Sequence, residues 1–200
     1  MLTCGPAASR RKPQQEAQHV SRVRGGHRSS IPRRRIVIRR CLIANRGEIA
    51  IRIARTAADL GIETVAIHGT DDADGLHVQR TDRAVALPGR GARAYLDHDA
   101  VLVAARDTGC DAVHPGYGFL AESAAFAARV EAAGLTWIGP LPSQLDLFGD
   151  KIAARAHAAR CAVPVLEGSG ALQTRADVDT FRAALGAQAG VVIKAAAGGG

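Results

Sequence analysis

The strongest constraint on the fold of this chain is a repeated alternation between short apolar segments and longer stretches with helical periodicity. The segment CLIAN (41–45) ends at a polar residue just before a glycine-containing turn, and apolar residues then recur at helical spacing over 48–60. Gly61 follows as a helix terminator, and TVAIH (64–68) supplies a second β-branched strand. This order predicts a βαβ unit, which requires a parallel pair of strands.

The same alternation continues along the chain. We predict a helix over 97–108, a strand over 111–114, a helix over 122–133 and a strand over 136–138, with a polar, turn-rich stretch over 71–91 between the two halves. The fold class is therefore α/β, with a parallel sheet and right-handed crossovers. Ligands of such sheets bind at the carboxyl ends of the strands, and those ends are predicted at Asn45, His68, His114 and Gly139.

The pattern changes after residue 142, where a second domain is predicted to begin. Two helical stretches cover 143–148 and 151–160, a further helix contains Val178, Phe181 and Leu185, and VVIK (191–194) is predicted to be a strand that runs into a glycine-rich end. We place the boundaries at 1–37 for an amino-terminal tail, 38–150 for the first domain and 151–200 for the start of the second.

Net charge separates the tail from the rest of the chain. The whole sequence carries +7, but residues 1–40 hold eleven Arg or Lys against the single acid Glu16, which is +10 and leaves −3 for residues 41–200. The tail has almost no apolar periodicity and cannot bury enough surface to order itself. Two functions are possible for this tail, a nucleic-acid-binding arm and an organellar transit peptide. We favour a third interpretation, in which the start codon is assigned too far upstream and the functional protein begins near Val37.

Three segments carry the candidate chemistry. VVIKAAAGGG places Lys194 at a strand end before Gly198, Gly199 and Gly200, whose backbone amides can approach phosphate oxygens. Lys151 follows Gly149 and Asp150 at the start of a helix, where the helix dipole also favours an anion. The loop HPGYGF (114–119) lies between a strand and a helix, and five of its six residues are His, Pro, Gly or Tyr. A purely structural connection does not need this composition.

Other classes of site are disfavoured. The dinucleotide fingerprint GxGxxG and the hydrolase elbow GxSxG are absent, and the four cysteines form no CxxC pair. We interpret the acids at 71, 72 and 74, near His68 and His77, as a solvated turn rather than a metal site. The sequence contains no apolar run of bilayer-spanning length and no secretory h-region, so neither a membrane partner nor export is expected, and a cytoplasmic location is predicted.

Taken together, these segments resemble the biotin carboxylase family. The resemblance is carried by CLIANRGEIAIRIAR (41–55), HPGYGFLAES (114–123), WIGP (137–140), LFGDKIAAR (147–155) and VVIKAAAGGG (191–200), in the family's order and spacing over 38–200. Two positions depart from the family pattern, because Ser123 replaces a common Asn and Arg83 stands where an acid is usual.

The resemblance implies a Rossmann-like domain followed by an ATP-grasp domain with a mobile glycine-rich lid. In the family, ATP and bicarbonate give carboxyphosphate, whose CO2 is taken up by biotin on a carrier, assisted by Mg²⁺ or Mn²⁺. By matching motifs, Lys151 and Lys194 would contact ATP phosphates, Gly198 to Gly200 would begin the lid, and Tyr117 with Gly118 would lie beside biotin.

The resemblance also implies partners and the extent of the enzyme. A biotin carboxyl carrier and a carboxyltransferase would act with this protein, and the helix over 48–60, with Arg55 and Asp59 spaced i, i+4, belongs in the family to a homodimer surface. The catalytic and metal-binding residues of the family lie downstream of Gly200. As a 200-residue amino-terminal piece that ends in the glycine loop, the chain is expected to be inactive.

Two alternatives from other classes remain. One is a different ATP-grasp ligase, such as a carbamoyl phosphate synthase-like enzyme, against which HPGYGFL argues. The other is a non-enzymatic basic protein that binds nucleic acid through residues 1–40, which nothing in residues 41–200 supports.

Overall fold

The fold is an α/β arrangement built on a five-stranded, all-parallel sheet. A computed structural model describes residues 37–186 and 190–194. Its strands are β1 Arg40–Ile43, β2 Glu63–His68, β3 Arg83–Ala86, β4 Ala112–His114 and β5 Thr136–Trp137. Its helices are α1 Gly47–Asp59, α2 Leu76–Gln79, α3 Gly91–Ala94, α4 His98–Asp107, α5 Ala124–Ala132, α6 Pro142–Gly149, α7 Lys151–Arg160 and α8 Arg175–Leu185, with a 3₁₀ turn at Phe119–Glu122.

The strand order is β3-β2-β1-β4-β5, so β1 lies at the centre. In register, Leu42 of β1 lies beside Val65 of β2 on one side and beside Val113 of β4 on the other. All of these strands run parallel, which confirms the predicted α/β class. The chain builds outward from β1 to β2 and β3, then returns to the other side of β1 for β4 and β5.

Helices cover both faces of the sheet, as alternation of side chains along β1 requires. Leu42 belongs to the larger core cluster, together with Val101 of α4 and Phe126 of α5. Its neighbour Ile43 belongs to the smaller cluster, with Ala50 and Ala54 of α1. The successive apolar residues of β1 are thus buried on opposite faces.

The long helices lie within two residues of their predicted bounds, whereas the predicted strand VVIK is wrong. Residues 191–194 are described without strand structure and are largely exposed. A strand needs a partner for its backbone hydrogen bonds, and none of the described strands pairs with this segment. Conversely, α2 and β3 lie in the stretch 71–91, which the sequence predicts only as polar and turn-rich, and α3 begins at the last residue of that stretch.

Both departures from the family pattern have local structural reasons. Ser123 is the N-cap of α5, and its hydroxyl accepts a hydrogen bond from the backbone amide of Phe126 at 3.2 Å, a role that Ser and Asn share. Arg83 forms an ion pair with Glu63 of the neighbouring strand at 2.6 Å, which also involves Arg40 at 2.7 Å.

Four helices end in the same backbone motif, but one of them uses an unusual residue. After α1, α4 and α5 the chain turns through glycines with positive φ, at Gly61, Gly109 and Gly134. After α7 the equivalent position is Ala162, with φ +57°. Its amide donates to Ala159 O and that of Val163 donates to Ala158 O, which is the Schellman pattern. A residue with a Cβ is disfavoured in this left-handed conformation.

We therefore expect Ala162→Gly to stabilise the protein. Ala162 is exposed, so the substitution removes no packing and relieves the left-handed strain, and the free energy of unfolding should rise by about 0.5–1 kcal/mol. Chemical denaturation measures this change. The control is Ala159→Gly, on an exposed position inside α7, which should lower the free energy of unfolding by about 1 kcal/mol. If both substitutions changed the free energy of unfolding by the same amount and in the same direction, the left-handed strain assigned to Ala162 would be contradicted.

Candidate functional site at the carboxyl edge of the sheet

The strand order creates a crevice at the carboxyl ends of β1 and β4. The connection after β1 leads toward β2, whereas β4 is added on the opposite side of β1. Connections therefore diverge at this point, and ligands of open α/β sheets bind at such a switch. Asn45 follows β1 here, and the loop 115–118 follows β4.

Asn45 joins the two sides of the crevice. Its side chain is buried, with 2% relative exposure. Its Nδ2 donates hydrogen bonds to the carbonyl oxygen of Pro115 at 2.7 Å and to that of Tyr117 at 2.8 Å. Its Oδ1 accepts from the backbone amide of Arg46 at 2.9 Å. The single carboxamide thus connects the end of β1 to the loop after β4.

Gly116 lies against that carboxamide and has no room for a side chain. A Cβ at this position would lie 2.7 Å from Asn45 Nδ2, and the backbone has φ +68°. The Gly116 amide donates to Nδ1 of His114 at 3.0 Å. Burial lowers the pKa of His114, which favours the neutral ring that this acceptor role requires.

Tyr117 and Gly118, the two residues predicted to lie beside biotin, are on the outer part of the same loop. Tyr117 is 62% exposed, and Gly118 has φ +67° and ψ −170°, a conformation that is essentially restricted to glycine. Phe119 also has a positive φ of +47°, and its ring centroid lies 5.4 Å from that of Tyr95. The loop therefore holds an unusual backbone conformation while presenting an exposed aromatic ring.

The acidic turn is not simply solvated, which corrects the sequence interpretation. Asp72 accepts hydrogen bonds from Arg46 Nε at 2.7 Å and from the hydroxyl of Tyr95 at 2.9 Å. These contacts, with that of Arg46 the largest, lower the pKa of Asp72. Burial, followed by the hydrogen bond to Asp72, raises the pKa of Tyr95 to about 12. His77 is 1% exposed, and burial lowers its pKa.

The two predicted phosphate-binding lysines line one cavity. Lys151 is the first residue of α7 and Lys194 lies at the end of the described chain, and both border a cavity of about 830 Å³. Asp150 caps α7, because its side chain accepts from the amides of Ile152 and Ala153 at 2.8 and 2.9 Å. Predicted lid residues Gly198, Gly199 and Gly200 lie outside the described residues, as do residues 1–36 of the tail.

Sequence reasoning located Asn45 as a strand end but did not identify its role. The available signal was a polar residue directly after a buried apolar run, and Asn45 is also the only asparagine in the chain. Its partners lie 70 and 72 residues away, so no local pattern reveals them.

Neither a metal cluster nor a membrane span occurs in the described part of the chain. Within residues 37–186 and 190–194, no group of three or more His, Cys, Asp or Glu side chains is arranged to hold a metal ion. Among the helices described there, none is both long and apolar enough to cross a membrane.

A family model and a relative of known function give the same match for this chain. Residues 37–145 match the family model described as biotin carboxylase, N-terminal domain. The chain is 42% identical over 165 residues to the biotin carboxylase of Pseudomonas aeruginosa, an alignment that covers 82% of this chain and 37% of that enzyme. The chain thus spans little more than a third of the length of this relative.

Solved structures show the same relationship. The biotin carboxylase domain of a single-chain bacterial carboxylase matches with a TM-score of 0.71 and 51% identity, over 74% of this chain and 34% of that one. The biotin carboxylase domain of 2-oxoglutarate carboxylase from Hydrogenobacter thermophilus, in complex with MgADP and bicarbonate, matches with a TM-score of 0.70 and 36% identity, over 76% of this chain and 34% of that one.

We expect Gly116→Ala to destabilise the protein strongly. The new methyl group would collide with Asn45 Nδ2, so the variant should lose about 3 kcal/mol of unfolding free energy through left-handed strain and broken hydrogen bonds. The control is Gly134→Ala, with φ +78° and nothing within 4 Å of the point that its Cβ would occupy, which should lose only about 1 kcal/mol. Urea denaturation measures both variants. If they lost similar amounts of unfolding free energy, the tight contact between Gly116 and Asn45 would be contradicted.

Acid should remove the contribution of Asp72 to stability. The folded-state pKa of Asp72 is lowered, so its contacts stabilise the fold above the ordinary aspartate pKa of about 4, and this stabilisation is lost as pH falls through the folded value. Asp72→Asn should therefore cost about 1 kcal/mol at pH 7 and less near pH 2. Denaturation curves at both pH values measure this difference. The control is Asp146→Asn, at an exposed position, which should leave the free energy of unfolding at pH 7 nearly unchanged.

Proposed function

This chain belongs to the biotin carboxylase family, and we propose that it provides the amino-terminal part of an enzyme that uses ATP and bicarbonate to carboxylate biotin held on a carrier. Membership rests on the family model over residues 37–145 and on relatives above 40% identity. The alignment covers only 37% of the Pseudomonas aeruginosa enzyme, so that relative is more than twice as long as this chain. The activity and its substrates are therefore proposed for the protein to which this part contributes.

The observation that carries the proposal is that Lys151 and Lys194 border the same cavity. These residues are 43 positions apart in the sequence, yet both line one space that is large enough for a nucleotide. Lys151 also lies in the first turn of α7, where the helix dipole favours a negative charge. Two cations around a triphosphate would stabilise the charge that develops as the terminal phosphoryl group is transferred.

Tyr117 and Gly118 would form the biotin side of the site. The exposed ring of Tyr117 offers an apolar face to the flat ureido ring, and Gly118 leaves its backbone open, since nothing lies within 4 Å of the position of a Cβ there. The solved relative with MgADP and bicarbonate bound supports the same classes of ligand for this chain.

The described residues contain no arrangement that fits a metal ion, so none of them is assigned to Mg²⁺ or Mn²⁺. Residues 37–186 and 190–194 contain no suitable cluster, and the metal would supply charge neutralisation at the phosphates when bound.

We propose that a biotin carboxyl carrier and a carboxyltransferase are the partners, that α1 contributes to a homodimer, and that the protein is cytoplasmic.

The chain contains only three lysines, Lys12, Lys151 and Lys194, which permits a direct test of the nucleotide site. An acyl phosphate of ATP transfers its acyl group to a lysine amine held near the phosphates, with ATP as the leaving group. We expect mass spectrometry to find Lys151 and Lys194 acylated, and excess ATP to reduce this labelling at least about tenfold, because ATP occupies the same cavity.

Lys12 is the internal control, since it belongs to the sequence segment that is predicted to be a basic tail. Its acylation should not change when ATP is added. Labelling of all three lysines to the same extent, with no protection by ATP, would contradict the proposed nucleotide site. Protection of Lys12 alone would instead support anion binding by the basic tail.

A further inference from the structure

We propose that Asn45 is a positioning residue that holds the loop 115–118 and thereby sets the location of Tyr117. The role of Tyr117 toward biotin rests on the proposed function, but the positioning itself does not. Asn45 acts from the end of β1, and its side chain binds the backbone on both sides of Gly116.

The hydrogen bonds of Asn45 fix the path of the loop backbone. The two protons of its Nδ2 are matched to two carbonyl oxygens, those of Pro115 at 2.7 Å and Tyr117 at 2.8 Å. These carbonyls belong to alternate residues, so holding both defines the turn at Gly116 between them. Because Asn45 is 2% exposed, a buried donor or acceptor left without its partner would be costly.

The chemistry of the carboxamide matters here, in addition to its shape. Oδ1 accepts from the Arg46 amide at 2.9 Å, so the amide group has one orientation, with oxygen toward Arg46 and nitrogen toward the loop. A carboxylate of the same size would retain the first contact. It would, however, place a charged oxygen against the carbonyls of Pro115 and Tyr117 and lose both donated bonds.

Tyr117 depends on this backbone support because its own side chain is largely outside the core. Its side chain is on the exposed part of the loop, with 62% relative exposure. Nearby residues of the loop make further contacts: the Gly116 amide donates to His114, and the ring of Phe119, two positions after Tyr117, lies beside that of Tyr95. Asn45 is the buried side chain that contacts the carbonyl of Tyr117 itself, so it controls the segment from which the ring projects.

The single asparagine of the chain allows this role to be observed directly. Labelling with ¹⁵N-asparagine gives one backbone amide and one side-chain NH₂ pair. We expect the side-chain protons to exchange with water at least about tenfold more slowly than those of free asparagine, since both are hydrogen-bonded in a buried site. Exchange at the free-asparagine rate in the wild-type chain would overturn the proposal.

Asn45→Asp tests positioning against general destabilisation. Chymotrypsin cleaves after aromatic residues, and the chain offers an exposed loop site at Tyr117 and a buried one at Phe126 of α5. We expect the substitution to accelerate cleavage after Tyr117 at least about tenfold relative to cleavage after Phe126, because the loop loses its anchor while the core remains. Acceleration of both cleavages by the same factor would show a merely structural role and overturn the proposal.

A matched control makes the same chemical change where only an acceptor is needed. Gln144 Oε1 accepts from the Leu141 amide at 2.9 Å, so Gln144→Glu should leave the ratio of the two cleavages unchanged. None of these measurements uses biotin. Biotin can then be added separately while the NMR resonances of Tyr117 are observed. If these resonances do not respond in a chain that passes the tests above, the proposed function is contradicted and the role of Asn45 is not.

Discussion

The parallel hydrogen-bonded ladder on both sides of β1 is the constraint on which the rest of this structure depends. Because β1 pairs with β2 and with β4, its residues are shielded by neighbours in the sheet and by helices on both faces, and Leu42 and Ile43 are fully buried. The side on which strands are added changes at β1, since β2 and β3 lie on one side of it and β4 and β5 lie on the other. The crevice at its carboxyl end is therefore a consequence of topology, before any side chain is considered.

The side chains at that edge turn the crevice into a specific surface. Asn45 holds the loop after β4, and the next residue, Arg46, binds Asp72 in the loop after β2. Adjacent residues of one strand end thus anchor loops on opposite sides of the central strand. The loop that Asn45 holds leads directly into Phe119, whose backbone has a left-handed conformation that persists only where the surrounding structure supports it.

Local patterns were sufficient for the long helices and for the four strands with clear apolar character. They failed for β3, whose sequence RAVA is short and whose side chains are mostly exposed. That strand exists because Val85 and its neighbours pair with β2 and because Asp82 binds Thr64 at its start. They failed in the opposite sense for VVIK, which has strong strand propensity but no paired strand among the described residues. Propensity selects a strand only where a ladder is available.

The sequence by itself determined the α/β class, the positions of the long helices and the motifs that identify the family, since helical periodicity, capping and glycine turns act over a few residues. The tertiary structure alone decided which polar groups meet. His77 is buried rather than solvated, Asp72 reaches Tyr95 across 23 positions, and Asn45 reaches Tyr117 across 72. These contacts join segments that become neighbours only when parallel strands align their carboxyl ends, so no local pattern encodes them.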